Sequence, residues 1–283
     1  MMEVGIGLPS TVPGVTGARL LEWARRAEET GFASLSVLDR LAYDNYEPLI
    51  TLAAAAAATE RIRLTTTVLL GGYRSNGIAV LAKQLATLAH ISGGRLVLGV
   101  GAGDRADDFE ANGVPFRVRG RRLDALLTEM SRLWNGETAL GPRPPGGTVP
   151  VLVGGHSPYA MHRAATYGSG WIAGGSSATP YPELVRRLHA IWAQHGRDDR
   201  PRLVSLGYAC FGPDARAEAE AYLKPYYAHA GPHGARVLAG VLTEPAQLRD
   251  HLAKLAESGC DETILLPCTT DPAQVELIAK AIG

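Results

Sequence analysis

The stretches RLVLGV (Arg95–Val100) and VPVLVGG (Val149–Gly155) decide the fold of this 283-residue chain. Both are apolar nearly from end to end. Strands of this kind suit a parallel sheet whose outer face is covered by helices, because neither side of such a strand meets water. The two stretches therefore predict an α/β protein built on a parallel sheet.

The same pattern of a short apolar run followed by a longer segment with apolar residues at three- and four-residue spacing repeats along the chain. The predicted strands are Val4–Leu8, Ser34–Leu38, Arg63–Leu70, Leu96–Val100, Val149–Val153, Trp171–Ala173, Leu203–Cys210 and Thr263–Leu266. The predicted helices are Ala18–Thr30, Pro48–Thr59, Ile78–His90, Arg119–Trp134, Tyr181–His195, Pro245–Ser258 and Pro272–Ile282. Eight such units at this length predict a (β/α)8 TIM barrel.

We expect one domain over residues 1–283. The Pro- and Gly-rich stretch Gly141–Gly147 is either a long connection from a helix to a strand, which we prefer, or a linker between domains. Between Phe211 and Thr243 the sequence predicts a helical insertion of two or three helices before the last strand. An insertion of this kind usually shapes a substrate pocket or a lid.

Composition points to a small-molecule partner. The 28 basic and 28 acidic residues balance, and no run of like charges favours nucleic acid or an anionic membrane. The longest apolar run, Leu52–Ala58, is far below the ~18 residues of a membrane span, and the N-terminus lacks a secretory pattern. We therefore expect a cytoplasmic protein. The three cysteines form no CxxC pair and the histidines show no HxH or HExxH spacing, so we expect no metal site.

The ends of the predicted strands are rich in glycine. In a parallel barrel the active site lies at the C-terminal ends of the strands. After the fifth strand, Gly154–Ser157 precedes a helix that opens at Pro158, where free backbone N–H groups and the helix dipole favour an anion such as phosphate. Gly174 and Gly175 follow the next strand and can supply the other side of this pocket. The alternative is that these glycines merely allow tight turns.

Several polar side chains are also predicted at the barrel mouth. Asp39 and Arg40 end the second strand and either orient a substrate or ring nitrogen, or form a structural ion pair. His156 ends the fifth strand. His229 and His233 lie in the insertion, where they either reach the substrate or belong to a mobile surface loop. Aromatic rings after strands two and three either wall a flat ligand or serve loop packing, and they are Tyr43, Tyr46 and Tyr73.

Four blocks of the sequence resemble the luciferase-like flavin-dependent oxidoreductases. They are AEETGFASLSVLDR (Ala27–Arg40), EPLITLAAAAAATERIRLTTTVL (Glu47–Leu69), LAKQLATLAHISGGRLVLGVGAG (Leu81–Gly103) and VPVLVGGHSPYAMHRAATYGSGWIAGG (Val149–Gly175). The order, spacing and barrel positions of the blocks fit this family. The run ISGGRLVLGVGAG in the third block is the most specific.

This resemblance implies an oxidoreductase whose flavin or deazaflavin ring lies across the barrel mouth, with its phosphate near the loops after strands five and six. The coenzyme-binding residues it implies are Thr67, Val68, Gly101, Ala102, Gly154, Gly155, His156, Ser157, Gly174 and Gly175. At Thr67 and Val68 the family often holds a non-prolyl cis peptide. Asp39 and His156 are our choices for the catalytic polar groups at the ring edge.

The chain departs from the family pattern at several positions. Ser75-Asn76-Gly77 stands where Arg-Asn-Pro or Arg-His-Pro is usual, which predicts the loss of a cation and of a helix-opening proline. Asp104 replaces an aromatic residue, Ala125 a glutamate and Ser169 an aspartate. These changes leave open an unusual substrate or the loss of coenzyme binding.

Three functions remain open from the sequence. The first is hydride transfer between coenzyme F420 and an organic substrate, and the second is an FMN-dependent monooxygenase that uses molecular oxygen. The third is a flavin-free or non-redox barrel protein, although no predicted strand end carries the lysine that a Schiff-base enzyme needs. Family members are often homodimers, and the Pro48–Thr59 helix is a candidate interface.

Overall fold

Strand and helix alternate along residues 2–283, the part of the chain that the computed structural model describes. The strands are β1 (Glu3–Gly7), β2 (Ser34–Val37), β3 (Arg63–Thr66), β4 (Leu69–Leu70), β5 (Leu96–Gly101), β6 (Val151–Gly154), β7 (Gly170–Gly174), β8 (Arg202–Ala209) and β9 (Glu262–Pro267). The helices are α1 (Gly17–Glu29), α2 (Pro48–Ala58), α3 (Gly71–Arg74), α4 (Ile78–Ile91), α5 (Ala106–Ala111), α6 (Arg119–Trp134), α7 (Pro158–Tyr167), α8 (Tyr181–Gln194), α9 (Ala215–Tyr226), α10 (Pro232–Ala239), α11 (Pro245–Glu257) and α12 (Gln274–Ile282). Short 3-10 turns cover Ser75–Gly77, Phe116–Val118, Pro145–Gly147 and Ala228–Ala230.

The strands form a parallel sheet that closes on itself. Their spatial order is β3-β2-β1-β9-β8-β7-β6-β5-β4, and β3 also pairs with β5, for example through Leu64 and Leu96. The short β4 extends the same wall by pairing Leu69 with Val100 of β5. The predicted (β/α)8 barrel is therefore confirmed.

Helices cover the outside of the barrel because each presents an apolar face to it. In α1 the buried residues Leu20, Trp23, Ala24 and Ala27 recur at the three- and four-residue spacing of one helix face. The Thr16 side chain accepts a hydrogen bond from the backbone at the start of this helix. Across residues 2–283, no helix combines the length and the apolar composition that crossing a bilayer requires.

One predicted strand is interrupted. The sequence predicted a continuous strand over Arg63–Leu70, whereas the structure divides it into β3 and β4 at Thr67 and Val68, which are joined by a cis peptide bond. The amide of Leu70 donates to the Asp39 carboxylate at 2.8 Å. The prediction of one strand was wrong because the hydrophobic pattern within a strand gives no sign of a bond to a distant side chain, here that of Asp39.

The insertion before the last strand is helical, as predicted. It consists of α9, the 3-10 turn Ala228–Ala230 and α10. Tyr222 and Tyr226 of α9 are buried against the ends of β8 and β9. The insertion therefore lies over the C-terminal mouth of the barrel. The helix α5 was not predicted, since six residues are too few for a clear periodic pattern.

Candidate active site

A cavity of about 880 Å³ opens at the C-terminal end of the barrel. This volume lies within the range that small-molecule and cofactor sites occupy. The cavity brings together all of the site residues expected from the sequence, namely Asp39, Thr67, Val68, Gly101, Ala102, Gly154, Gly155, His156, Ser157, Gly174 and Gly175. Their roles toward a ligand stay predictions.

Val68 accounts for two of the glycines in the cavity wall. A Cβ atom on Gly101 or on Gly154 would lie 2.7 Å from a methyl group of Val68. Real Cβ atoms do not approach other carbons that closely, because interiors are already close-packed. Gly101 and Gly154 therefore make room for Val68, whatever they do for a coenzyme.

The remaining glycines differ from one another in what they allow. A Cβ on Gly175 would lie 2.2 Å from the carbonyl oxygen of Leu206, so this glycine permits the close approach of β8. Gly155 has φ +125°, a conformation that residues with a side chain rarely adopt. A Cβ on Gly174 would meet only the His156 ring, at 3.6 Å and beyond. Gly174 is thus the glycine with free space on the cavity side.

The N-terminus of α7 is built to receive an anion. The Ser157 side chain caps the helix by accepting from the Ala160 amide at 3.2 Å, and Pro158 occupies the first turn. Gly155 and Ser157 both line the cavity. The aligned peptide dipoles give such an end a partial positive charge, so a phosphate group is favoured there.

Arginines continue the positive region beyond this helix end. We call the group the arginine rim, and it comprises Arg117, Arg119, Arg121 and Arg163, all of which line the cavity. Arg119 donates to the carbonyl of Gly103 and Arg163 pairs with Asp124. Arg117 and Arg121 are exposed and have neither a hydrogen-bond nor an ion-pair partner within residues 2–283. Two of the four charges are therefore free to bind an anionic ligand.

Asp39 is held by donors from the protein. Its carboxylate accepts from the Leu70 amide at 2.8 Å, from the Tyr73 hydroxyl at 2.7 Å and from Arg74 at 2.9 and 3.0 Å. Its side chain has no solvent exposure. With its lone pairs engaged in this way, the geometry favours a positioning role for Asp39 over acid–base chemistry.

Arg74 directly precedes the Ser75–Gly77 segment, where the sequence predicted the loss of a cation and of a proline. Its guanidinium pairs with Asp39 and Glu47, so a cation lies beside the segment in this chain. A 3-10 turn over Ser75–Gly77 leads into α4 without a proline.

Arg40 does not pair with its neighbour Asp39. It bonds Asp108 at 2.7 Å and Asp107 at 3.1 Å, and its guanidinium lies 5.2 Å from the ring centroid of Tyr43 and 5.7 Å from that of Tyr226. Cations are attracted to the faces of aromatic rings at such distances. Arg40 is therefore a structural residue that ties the end of β2 to α5 and to the insertion.

His156 donates a hydrogen bond through one ring nitrogen and can accept one through the other. Its Nε2 lies 2.9 Å from the carbonyl oxygen of Gly174, and because a carbonyl only accepts, this nitrogen carries the hydrogen. Burial lowers the pKa of His156, the bond to Gly174 opposes that effect, and the nearby His233 lowers the pKa further. The unprotonated Nδ1 can therefore accept a hydrogen bond from a ligand.

Three tyrosines from β8 and from the C-terminal end of α9 line the cavity. They are Tyr208, Tyr226 and Tyr227. The Tyr208 and Tyr227 hydroxyls lie 3.1 Å apart, and the Tyr226 and Tyr227 rings meet edge to face with centroids 5.0 Å apart. Such packing fixes the rings in place.

The sequence left open whether three other tyrosines wall a flat ligand or serve loop packing. Tyr43, Tyr46 and Tyr73 do not line the cavity: Tyr43 packs on the ring of Tyr226, Tyr46 is exposed, and Tyr73 binds Asp39. The adjacent pair Tyr226-Tyr227 inside the predicted pocket-shaping insertion was the available signal for the observed wall, and it was missed.

The insertion histidines do reach the cavity. His229 Nδ1 lies 2.7 Å from Nη1 of Arg105, and the His233 ring nitrogens lie 3.4 Å from the Ser176 hydroxyl. Both rings line the cavity. In the described part of the chain, no group of three or more His, Cys, Asp or Glu side chains is placed to hold a metal ion.

The positions that depart from the family pattern lie mostly away from this cavity. Asp104 lines it. Gly77 belongs to the turn before α4, Ala125 is exposed on α6, and Ser169 is exposed at the opposite end of the barrel, before β7. The changes at these last three positions therefore leave the cavity wall intact.

Known proteins resemble this chain over most of its length. A family model described as luciferase-like monooxygenase matches residues 2–266. An uncharacterized protein of Mycobacterium tuberculosis is 33% identical over 245 residues, covering 72% of this chain and 83% of that protein. An F420-dependent glucose-6-phosphate dehydrogenase of Kineococcus radiotolerans is 29% identical over 230 residues, covering 72% and 68%. The solved structure of an F420-dependent secondary alcohol dehydrogenase superposes with a TM-score of 0.82 at 18% identity, covering 100% of this chain and 99% of that one.

Proposed function

Because the chain belongs to the luciferase-like monooxygenase family, we propose that it is an oxidoreductase that transfers hydride between coenzyme F420 and an organic substrate. The arginine rim is the observation that carries this proposal. FMN ends at its phosphate, whereas F420 continues past its phosphodiester into a tail of glutamate carboxylates. Free guanidinium groups beyond the α7 N-terminus suit the longer and more anionic of the two coenzymes.

Other features of the cavity fit the same coenzyme. The end of α7 can take the phosphodiester, Val68 and Ala102 can back the ring, and the space beside Gly174 can hold part of the coenzyme side chain. His156 can accept a hydrogen bond from the ligand through Nδ1. Bound F420 supplies the hydride chemistry, while these residues orient the ring and keep water from it.

Two relatives named for F420 dependence support the choice of coenzyme. One is the glucose-6-phosphate dehydrogenase and the other is the alcohol dehydrogenase with the superposable barrel. Neither substrate is carried over to this chain, since substrate specificity depends on loops that differ within one fold.

An FMN-dependent monooxygenase is the second candidate. The end of α7, with its Ser157 cap, suffices for a single terminal phosphate and does not require the rim. In that case reduced FMN and molecular oxygen replace the deazaflavin, which does not readily activate oxygen.

The test is a titration of the purified protein with F420, with its riboflavin-level precursor that lacks phosphate and tail, and with FMN. Trp171 provides the fluorescence signal, since its Nε1 bonds the carbonyl of Gly155 in the cavity wall. We expect F420 to bind most tightly. Arg117→Glu and Arg121→Glu should weaken F420 binding by roughly tenfold each, and FMN binding much less.

Arg186→Glu is the matched control, because Arg186 is exposed on α8 outside the cavity and has no ion-pair partner in residues 2–283. It should leave all three affinities unchanged. Preferential FMN binding that the rim variants do not alter would refute the F420 assignment and favour the monooxygenase. Binding of no coenzyme would instead favour a flavin-free function.

A further inference from the structure

We infer that Tyr227, oriented by Tyr208, contacts the oxygen atom of an apolar ketone or secondary alcohol in the cavity and exchanges a proton with it. This inference rests on the proposed function, since F420 must deliver or accept the hydride. It adds the substrate class and the residue that handles the substrate oxygen.

The two hydroxyls leave one hydrogen without a protein partner. They lie 3.1 Å apart, both side chains line the cavity, and within residues 2–283 neither hydroxyl has another hydrogen-bond partner. A pair of hydroxyls contains two O–H groups but uses only one of them in its mutual bond. The second O–H is therefore available to a ligand.

Tyr227 is the member of the pair that offers this hydrogen. Burial raises the pKa of Tyr227 to about 12, although the hydrogen bond with Tyr208 lowers it. Burial raises the pKa of Tyr208 well above its ordinary value, and the bond with Tyr227 raises it further. Tyr208 is buried, whereas Tyr227 is only partly buried and is therefore the more accessible of the two to a ligand. Either hydroxyl can donate within the pair, and when Tyr208 donates, the O–H of Tyr227 is free.

The surroundings of the pair define the substrate class. Apolar and aromatic side chains line this part of the cavity, including Val237, Leu266 and Tyr226. Of the histidines beside Tyr227, His229 bonds Arg105, and the His233 ring nitrogens lie 3.4 Å from the Ser176 hydroxyl. An apolar substrate with one oxygen atom can accept a hydrogen bond from the free tyrosine O–H. It then has no unpaired polar group of its own.

The proton balance of the reduction follows from this contact. Bound reduced F420 would supply the hydride that forms the new C–H bond at the carbonyl carbon, and the π electrons of the C=O bond would move to oxygen. The oxygen takes the Tyr227 proton, and the tyrosinate is stabilised by the Tyr208 hydrogen bond until solvent at the cavity mouth returns a proton. Alcohol oxidation would follow the same path in reverse, with oxidised F420 as the hydride acceptor.

The first test measures binding to the protein already saturated with F420. Acetophenone and ethylbenzene serve as probes, because they share the aromatic ring and differ in the carbonyl oxygen. We expect the native protein to bind acetophenone more tightly than ethylbenzene. Tyr227→Phe should reduce the ratio of the two dissociation constants roughly three- to tenfold, because one hydrogen bond is lost. F420 affinity should not change.

Tyr222→Phe is the control variant. Tyr222 lies on α9 like Tyr226, and its hydroxyl bonds Thr11 at 2.7 Å outside the cavity. The change also removes a buried tyrosine hydroxyl, so it can lower stability but should keep the native preference for acetophenone. An equal preference in the Tyr227→Phe and native proteins would overturn the inference.

Turnover gives the second test, in which oxidation of reduced F420 by acetophenone is followed by absorbance. Tyr227→Phe should lower kcat about 10²-fold or more while KM changes by less than about tenfold. Binding of F420 without binding of either probe would overturn the substrate class and leave the proposed function standing. Failure of F420 itself to bind would refute the proposed function and the inference with it.

Discussion

The Asp39 carboxylate and the Arg74 guanidinium form a two-bonded ion pair, with donor–acceptor distances of 2.9 and 3.0 Å, at the edge of the cavity. Asp39 lies just after β2 and Arg74 ends α3, so the pair joins two neighbouring corners of the barrel mouth. Because the pair occupies both carboxylate oxygens of Asp39, it supports a positioning role for Asp39 rather than the catalytic role that the sequence suggested.

Asp39→Asn should therefore act on stability. The change leaves Arg74 without its main counter-ion in a largely buried site, and we expect a loss of about 3 kcal/mol in the free energy of unfolding. Urea denaturation measures this loss, and Glu183→Gln, in an exposed helix pair, provides a control with little effect. A variant with native stability, native coenzyme affinity and no turnover would restore the catalytic role.

Replacement by alanine should have different effects at Gly174 and Gly155, on coenzyme binding at the first and on stability at the second. A methyl group at Gly174 enters free space near His156, so Gly174→Ala should weaken coenzyme binding about tenfold while stability is retained. Gly155→Ala should instead lower stability by about 1–3 kcal/mol, because φ is +125° and the new Cβ would lie 3.0 Å from that of Ala160.

Coenzyme titration and thermal unfolding of the two variants check this pair of expectations. Gly14→Ala supplies a matched control for the backbone effect, since Gly14 has φ +79° and no atom within 4 Å of a new Cβ. Full coenzyme affinity in Gly174→Ala would place the coenzyme side chain elsewhere in the cavity.

The sequence was sufficient for the barrel because its strands and helices carry strong, regular periodicity. RLVLGV and VPVLVGG became β5 and β6, and α6 begins and ends where predicted, at Arg119 and Trp134. The interruption at Thr67 and Val68 was not predictable from periodicity, since it involves a hydrogen bond from Leu70 to Asp39.

The cavity wall was only partly predictable. The glycine-rich strand ends mark the barrel mouth directly, because glycine permits close approach wherever it occurs. Arg117 and Arg121 were missed, since they come from the segment between β5 and β6, which folds back over the mouth. Contacts of that kind depend on tertiary structure, and the local sequence does not encode them.

Protonation of His251 should make stability depend on pH. Its Nε2 is buried in α11 without a hydrogen-bond partner in the described residues, and burial lowers its pKa from 6.5, with Asp250 and Lys254 acting in opposite directions. The unfolded chain then binds a proton more readily than the folded protein. Stability is therefore expected to fall as the pH drops below 6.5, where unfolded His251 gains its proton.

His251→Leu should reduce this dependence. We expect a smaller drop in Tm between about pH 7.5 and about pH 5.5 than in the native protein, because the variant no longer takes up that proton on unfolding. His90→Leu, at an exposed histidine on α4, is the control and should keep the native difference. The same drop in His251→Leu as in the native protein would assign the effect to other groups, such as His156, whose pKa is also lowered by burial.

The apolar surface of α2 predicts that two copies of the chain associate. The helix, PLITLAAAAAA, contains no charged residue, yet Ile50 is 72% exposed, and Val80 on the adjacent α4 is 63% exposed. A helix that is apolar all round is normally buried, and a two-fold contact between identical faces is the commonest way for a protein to bury one. Ile50→Arg should therefore convert a dimer to a monomer in light scattering, whereas Leu277→Arg, on α12, should not. A native protein that is monomeric at high micromolar concentration would exclude this association.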